Sequence, residues 1–284
     1  MNFYVLQVYL NSDQIDRKGR QNMENYNIIN TAFNISLDIG SIVITVLMSI
    51  HFIRNPNTSK EMRYFRWMCI CNGIFILADL SGWICNEYAH PSYPILFFLG
   101  RFVYYAITAI LFLILLQYVI KYVSSFRTVS KVYMRIAGGL TCLHLIGCII
   151  TPFTGLFYNI TEENLYQFGK GVLFYNIVPV VVSGMIVAIA IRYRKLLNPR
   201  ATLTLFSFVG FCVLGQIVKV LFYGVMSVNP YITLAIVVLF FNIQYNRDMQ
   251  QKKDKRELEE LNTKIMLSQI QPHFLYNTLA TIHG

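Results

Sequence analysis

The sequence predicts an all-α membrane protein of seven transmembrane helices, followed by a cytoplasmic signalling helix of coiled-coil character. Three observations predict it. Charged side chains make up only 13% of the 284 residues and apolar ones 55%, whereas soluble domains are about 25% charged. Seven stretches are apolar over the length a span requires, which is roughly 20 residues at about 1.5 Å rise each across about 30 Å of hydrocarbon. Finally, Lys and Arg are confined to alternate connections.

In chain order, residues 1–27 begin MNFYVLQVYLNSDQ, with no basic leader and an apolar run too short to span or to act as a secretory signal. They are expected to form an extracellular N-terminal segment. Residues 28–246 form the seven-helix transmembrane domain, with spans at about Ile28–Ile53, Tyr64–Cys85, Tyr93–Ile120, Val132–Thr151, Gly171–Ile191, Ala201–Val225 and Tyr231–Tyr245. The six cysteines fall almost entirely inside these spans, where thiols behave as small apolar groups, and they suggest neither a disulfide framework nor a metal site.

The net charge of +10 is a matter of topology and does not point to a nucleic-acid partner. The first loop carries Arg54, Lys60, Arg63 and Arg66, the third Lys121, Arg127, Lys131 and Arg135, and the fifth Arg192, Arg194, Lys195 and Arg200. The second and sixth loops have no basic residue, and the fourth has only Lys170. Basic loops stay in the cytoplasm. The chain is therefore expected in the plasma membrane as a multi-pass protein, N-terminus outside and C-terminus inside.

Five ionisable side chains fall within the spans: Asp38, Asp79, Arg101, His144 and Lys219. Counted from the outer end of each helix, four of them lie roughly 8–13 Å deep and Asp38 about 15 Å, with Asn176 and Gln216 in the same zone. A charge in lipid costs several kcal/mol, so such groups face the bundle interior or a cavity. Two readings stand open. The five could converge on an unknown extracellular ligand, for which Arg101 and Lys219 would suggest an anionic or zwitterionic character. They could equally form interhelical pairs, such as Asp79 with Arg101, that fix helix register. A proton or ion pathway fits less well, because the inner halves of these helices carry almost no charge.

Beyond Tyr245 the sequence turns charged and helix-favouring, without Gly or Pro until Pro272, and is expected to extend the seventh helix. Residues 247–268 form a linker helix. Its Leu258, Leu261 and Ile265 follow a coiled-coil spacing, continued less well by Gln251, Asp254 and Ser268. In the stretch 269–284, Leu275, Leu279 and Ile282 share one face. His273 lies about 160° from Leu275, at about 100° per residue, and so projects away from that face, with Asn277 on its own side. Pro272 should kink the helix just before the histidine.

The run Gln269-Ile270-Gln271-Pro272-His273-Phe274-Leu275-Tyr276-Asn277-Thr278-Leu279 resembles the phosphoacceptor motif of the LytS-type sensor histidine kinases of bacterial two-component systems. It has Tyr276 where that family usually has Phe and Ala280 where Asn is common. The resemblance implies that residues 269–284 begin the phosphoacceptor helix. It makes His273 the autophosphorylated residue, Asn277 a neighbour that shapes its site, and the enzyme a protein histidine kinase. It further implies a homodimer through the cytoplasmic helix and a response regulator as phosphate acceptor. ATP and Mg²⁺ would bind a C-terminal domain that lies beyond Gly284. Within this chain there is no Gly-rich phosphate loop and no cofactor or metal motif, so a fragment of a longer kinase is expected, inactive by itself. The acid that often follows the histidine in other kinases is replaced by Phe274, so a base must come from elsewhere. The competing reading is a seven-helix transporter or receptor-like protein without kinase activity, in which the tail is a plain helix.

The charge asymmetry can be tested directly. Green fluorescent protein fused after Gly284 should fluoresce and alkaline phosphatase at the same place should be inactive, while a phosphatase inserted in the second or fourth loop should be active. The reverse pattern would contradict the orientation.

Overall fold

The structure is a computed structural model and describes residues 17–54, 60–85, 93–124, 127–161, 166–197, 199–221 and 228–283. Eight helices and one hairpin follow in order among them: α1 (Arg17–Arg54), α2 (Lys60–Cys85), α3 (Tyr93–Ser124), α4 (Val132–Thr154), β1 (Tyr158–Ile160), β2 (Tyr166–Phe168), α5 (Val172–Tyr175), α6 (Ile177–Arg192), α7 (Pro199–Leu221) and α8 (Val228–His283). Seven spans are long and apolar enough to cross a membrane, the fifth, Leu173–Arg192, running through α5 and α6 together. The chain is a multi-pass membrane protein by that measure. Each span starts within a few residues of its expected position, although α1 itself begins earlier, at Arg17. The chain divides after Leu239 into two compact units, the first holding the bundle up to the first turns of α8 and the second the rest of that helix.

The helices are apolar on every side, so burial rather than amphipathicity tells which are central. In α3, 61% of the most apolar window is buried, against 28% in α1, α6 and α7. α3 is therefore the core helix, and Leu47, Leu143, Val180 and Leu203 on its neighbours face outward as lipid-exposed side chains do. α2 and α3 approach closely through small residues, as membrane helices without a hydrophobic driving force must. A Cβ on Gly100 would run into the Ser81 hydroxyl and the Ala78 carbonyl, and one on Gly82 would fall on the Arg101 guanidinium. Several hydroxyls within the spans bond back to their own helix, Thr45 to Ser41 O, Thr108 to Tyr104 O and Thr151 to Gly147 O, which satisfies them without water.

Two features depart from a plain seven-helix chain. α4 ends at Gly155, whose φ of 64° only glycine adopts freely and whose N–H reaches Thr151 O at 2.8 Å. The chain then forms an antiparallel pair with Tyr158 opposite Phe168 and Ile160 opposite Tyr166, continued by Gly169 N–H to Phe157 O and Gly171 N–H to Leu156 O. The fifth span, expected from Gly171 as one helix, starts instead with the single turn α5 and restarts after Asn176. Pro179 accounts for the break: it has no N–H to give to the Tyr175 carbonyl, four residues back.

α8 runs 56 residues from Val228 to His283 and continues through Pro272, so the expected kink does not end the helix. Pro230 falls in its first turn, where a missing N–H costs nothing. In the second unit Leu258, Leu261 and Ile265 are all about half exposed, an apolar stripe left open in the single chain. Lys253–Glu257 and Lys255–Glu259 pair loosely along the exposed surface at 3.7 and 3.9 Å.

Candidate functional site

Three of the five charged residues named from sequence come together, and a fourth, neutral side chain joins them. Asp38 on α1, Asp79 on α2 and Asn229 on α8 are 2%, 3% and 0% exposed. Asn229 Nδ2 donates to Asp38 Oδ1 at 3.1 Å and to Asp79 Oδ2 at 2.7 Å, spending both amide hydrogens on two carboxylates from two helices. Arg101 on α3 donates from Nη1 to the other Asp79 oxygen at 3.0 Å. The orientation of the Asn229 amide follows from this: its oxygen turned inward would face two acceptors. One cation serves two carboxylates, and Asp38 Oδ2 and Asn229 Oδ1 are left without a hydrogen-bond partner.

The guanidinium is boxed in by rings. Phe97 and Tyr104 of its own helix lie 5.4 and 5.7 Å from it, and Tyr166 of β2 lies 5.2 Å away, each an attractive cation–π contact. The Tyr166 hydroxyl hydrogen-bonds that of Tyr105. Burial pushes the Tyr166 and Tyr158 phenols up from their ordinary value, so both act as neutral hydroxyls. The hairpin thus covers Arg101 with aromatic surface and holds it against Asp79.

A second amide repeats the arrangement two turns away along α2. Asn72 on α2 is fully buried and donates from Nδ2 to Thr45 Oγ1 on α1 and Thr233 Oγ1 on α8, both at 3.0 Å. The spacing is helical: Asp38 and Thr45 are two turns apart on α1, Asn72 and Asp79 two on α2, and Asn229 and Thr233 one on α8. The same three helices are clamped at both levels.

His144 does not join the cluster. Its Nε2 meets the Tyr105 carbonyl at 3.0 Å, which can only accept, so that nitrogen carries the proton. Its ring lies 5.3 Å from Phe157 and 5.7 Å from Tyr175. It anchors α4 to α3 beneath the hairpin. The side chains of Lys219, His273 and Asn277 lie outside the described residues, although the backbone of all three is helical. Among the described residues no group of three or more His, Cys, Asp or Glu side chains gathers as a metal site.

Sequence reasoning missed Asn229, which is neutral and precedes the expected start of the seventh span. It also missed a cavity of about 560 Å³ bounded by α2, α3, α6, α7 and α8, whose described lining includes Asn176 and Gln216 but not Asp38, Asp79, Arg101 or His144. Depth alone had grouped the amides with the charges; the structure separates them into two sites. No protein-family model matches the chain, and no curated protein matches it.

The pairing makes the two carboxylates unequal. Asp79→Asn would leave the Arg101 guanidinium uncompensated in a buried site, a loss of about 3–5 kcal/mol. Asp38→Asn keeps an acceptor for Asn229 and leaves one carboxylate to one guanidinium, so it should cost less than about 1 kcal/mol. Thermal unfolding of the two variants in detergent checks the order, and equal midpoints would contradict it.

Proposed function

We propose that the chain is the membrane sensor region of a two-component histidine kinase. The observation that carries this reading is one of continuity: the helix whose outer turn holds Asn229 and Thr233 also bears the Gln269–Leu279 motif that resembles the LytS-type phosphoacceptor. N-terminus outside and C-terminus in the cytoplasm of a bacterial cell, the chain receives a stimulus in the outer half of its bundle. An occupant there shifts the balance between two packings of α8 against α1 and α2, provided it binds them with different affinity. The shift alters the presentation of His273 to an ATP- and Mg²⁺-bearing domain beyond Gly284. Phosphate then passes from His273 to a response regulator.

Three features support the scheme. The polar contacts that the start of α8 makes, beside its buried Ile232, Ala235 and Ile236, are few and directional, so they have discrete alternatives, as a switch requires. The open stripe of Leu258, Leu261 and Ile265 suits a second copy of the same helix, which makes a homodimer the working form. A neutral imidazole, which histidine readily supplies near pH 7, is a competent nucleophile. With Phe274 beside it, the proton it loses on phosphorylation goes to a base on another element.

Labelling tests the reading. Membranes containing the product of the full reading frame should incorporate phosphate from γ-labelled ATP in an acid-labile, alkali-stable linkage, and His273→Ala should abolish it while leaving the amount of folded protein unchanged. Label that survives His273→Ala would contradict the assignment.

A further inference from the structure

We infer that Asp38 and Asn229 bind one monovalent cation between them, a proton or a sodium ion, at the oxygens their hydrogen bond leaves free. The cluster they belong to is short of positive charge. Asp79 has the Arg101 guanidinium at 3.0 Å, whereas Asp38 has the neutral Asn229 amide at 3.1 Å. Among the described residues, the charged groups that act on Asp38 are Asp79 from α2 and Arg101 from α3. On its other side α8 carries no charged residue before Arg247. Two carboxylates and one guanidinium leave one net negative charge in a site shut off from water. A single positive charge makes the site neutral, whereas a divalent ion would only reverse its sign, and a buried charge without compensation is costly.

The free atoms have the matching chemistry. Asp38 Oδ2 and Asn229 Oδ1 are buried without a hydrogen-bond partner, on side chains 2% and 0% exposed. A carboxylate oxygen and an amide oxygen can only accept. They belong to planar groups already joined through Asn229 Nδ2 and Asp38 Oδ1, so one small cation can meet both. Ser41, three residues further along α1 and also buried, gives its proton to Leu37 O at 2.8 Å and has only lone pairs left to offer. An all-oxygen set of this kind suits a proton or a hard cation. A water molecule would supply donors but not the missing charge.

Lys219 stands on another side of α8. α7 meets α8 at Gly215, where an added Cβ would lie 3.1 Å from Tyr231 Cβ. Tyr231 is two residues from Asn229, about 200° round the helix, so this contact is on the face of α8 opposite the cluster. Lys219 follows Gly215 by one turn of α7. The cation would therefore be held by α1 and α8 from within the cluster itself. Without it, two like charges repel across the one amide that ties α8 to both helices. As a stimulus of signalling the site rests on the sensor reading above; as a cation site it stands independently of it.

The test uses the purified chain in lipid nanodiscs at constant ionic strength, with sodium exchanged for N-methylglucamine and the pH lowered from about 8 to about 6. Whatever binds the folded state alone stabilises it as its concentration rises. Above half-saturation, each tenfold rise in the cation that fills the site should raise the thermal midpoint by about 3–5 °C. A rise with sodium at fixed pH identifies the metal ion. A rise as the pH falls, with an infrared carbonyl band of a protonated carboxyl group that shifts in D₂O, identifies the proton. In either case Asp38→Asn, which removes the surplus charge, should abolish both the response and the band, while Asp254→Asn on the exposed tail should keep them. A wild-type midpoint indifferent to sodium, together with no protonated-carboxyl band in this pH range, would overturn the proposal without recourse to any variant. So would a response that survives in Asp38→Asn. None of these readouts involves phosphate transfer, so failure of the cation site and failure of the sensor reading appear in different experiments.

Discussion

Both amide hydrogens of Asn229 are committed to carboxylates on two different helices, and much of the bundle's arrangement follows from that commitment. In hydrocarbon there is no water to solvate Asp38 or Asp79, so each must find donors within the protein or not be ionised there at all. Asn229 supplies one donor to each. Arg101 supplies the single positive charge, and it can do so only because Gly82 leaves room for the guanidinium. Tyr166 then closes the site from the hairpin side. Remove the amide and two carboxylates of like charge lose their common donor.

The consequence for function lies in which helix holds the amide. The first and second helices are tied to the eighth at two levels, by Asn229 and by Asn72, and the eighth is the one that runs on into the charged tail. A polar clamp differs from apolar packing in this respect. Apolar surfaces slide with little penalty in lipid, whereas a hydrogen-bonded amide is either engaged or not. That two-valued character suits the proposed sensor, in which a stimulus must bias a long helix.

The bundle was largely legible in the sequence because its physics is one-dimensional. Span length needs only position along the chain, and the seven spans begin within a few residues of where apolar length predicts. Depth is also one-dimensional, and it correctly singled out Asp79 with Arg101 as a possible register pair. Azimuth is not. Depth grouped His144 with the acids, yet the structure turns it to the Tyr105 carbonyl; it grouped Asn176 and Gln216 with the charges, yet they line a cavity apart from Asp38, Asp79, Arg101 and His144. Asn229 escaped notice because a neutral residue next to a proline reads as the end of a loop. The hairpin escaped because two three-residue strands carry too little alternation to register, and the break at Asn176 because one proline inside a long apolar run does not stand out until the hydrogen bond it removes is seen.

The most direct test of the clamp is a double-mutant cycle between Asp38 and Asn229, with the unfolding free energy of the wild type, Asp38→Ala, Asn229→Ala and the double variant measured by reversible denaturation in mixed micelles. A real bond between buried partners on α1 and α8 should give a coupling of about 1–3 kcal/mol, the double variant losing less than the sum of the singles. Additivity within about 0.5 kcal/mol would mean that the two side chains do not meet, and that the eighth helix is held by packing rather than by its amide.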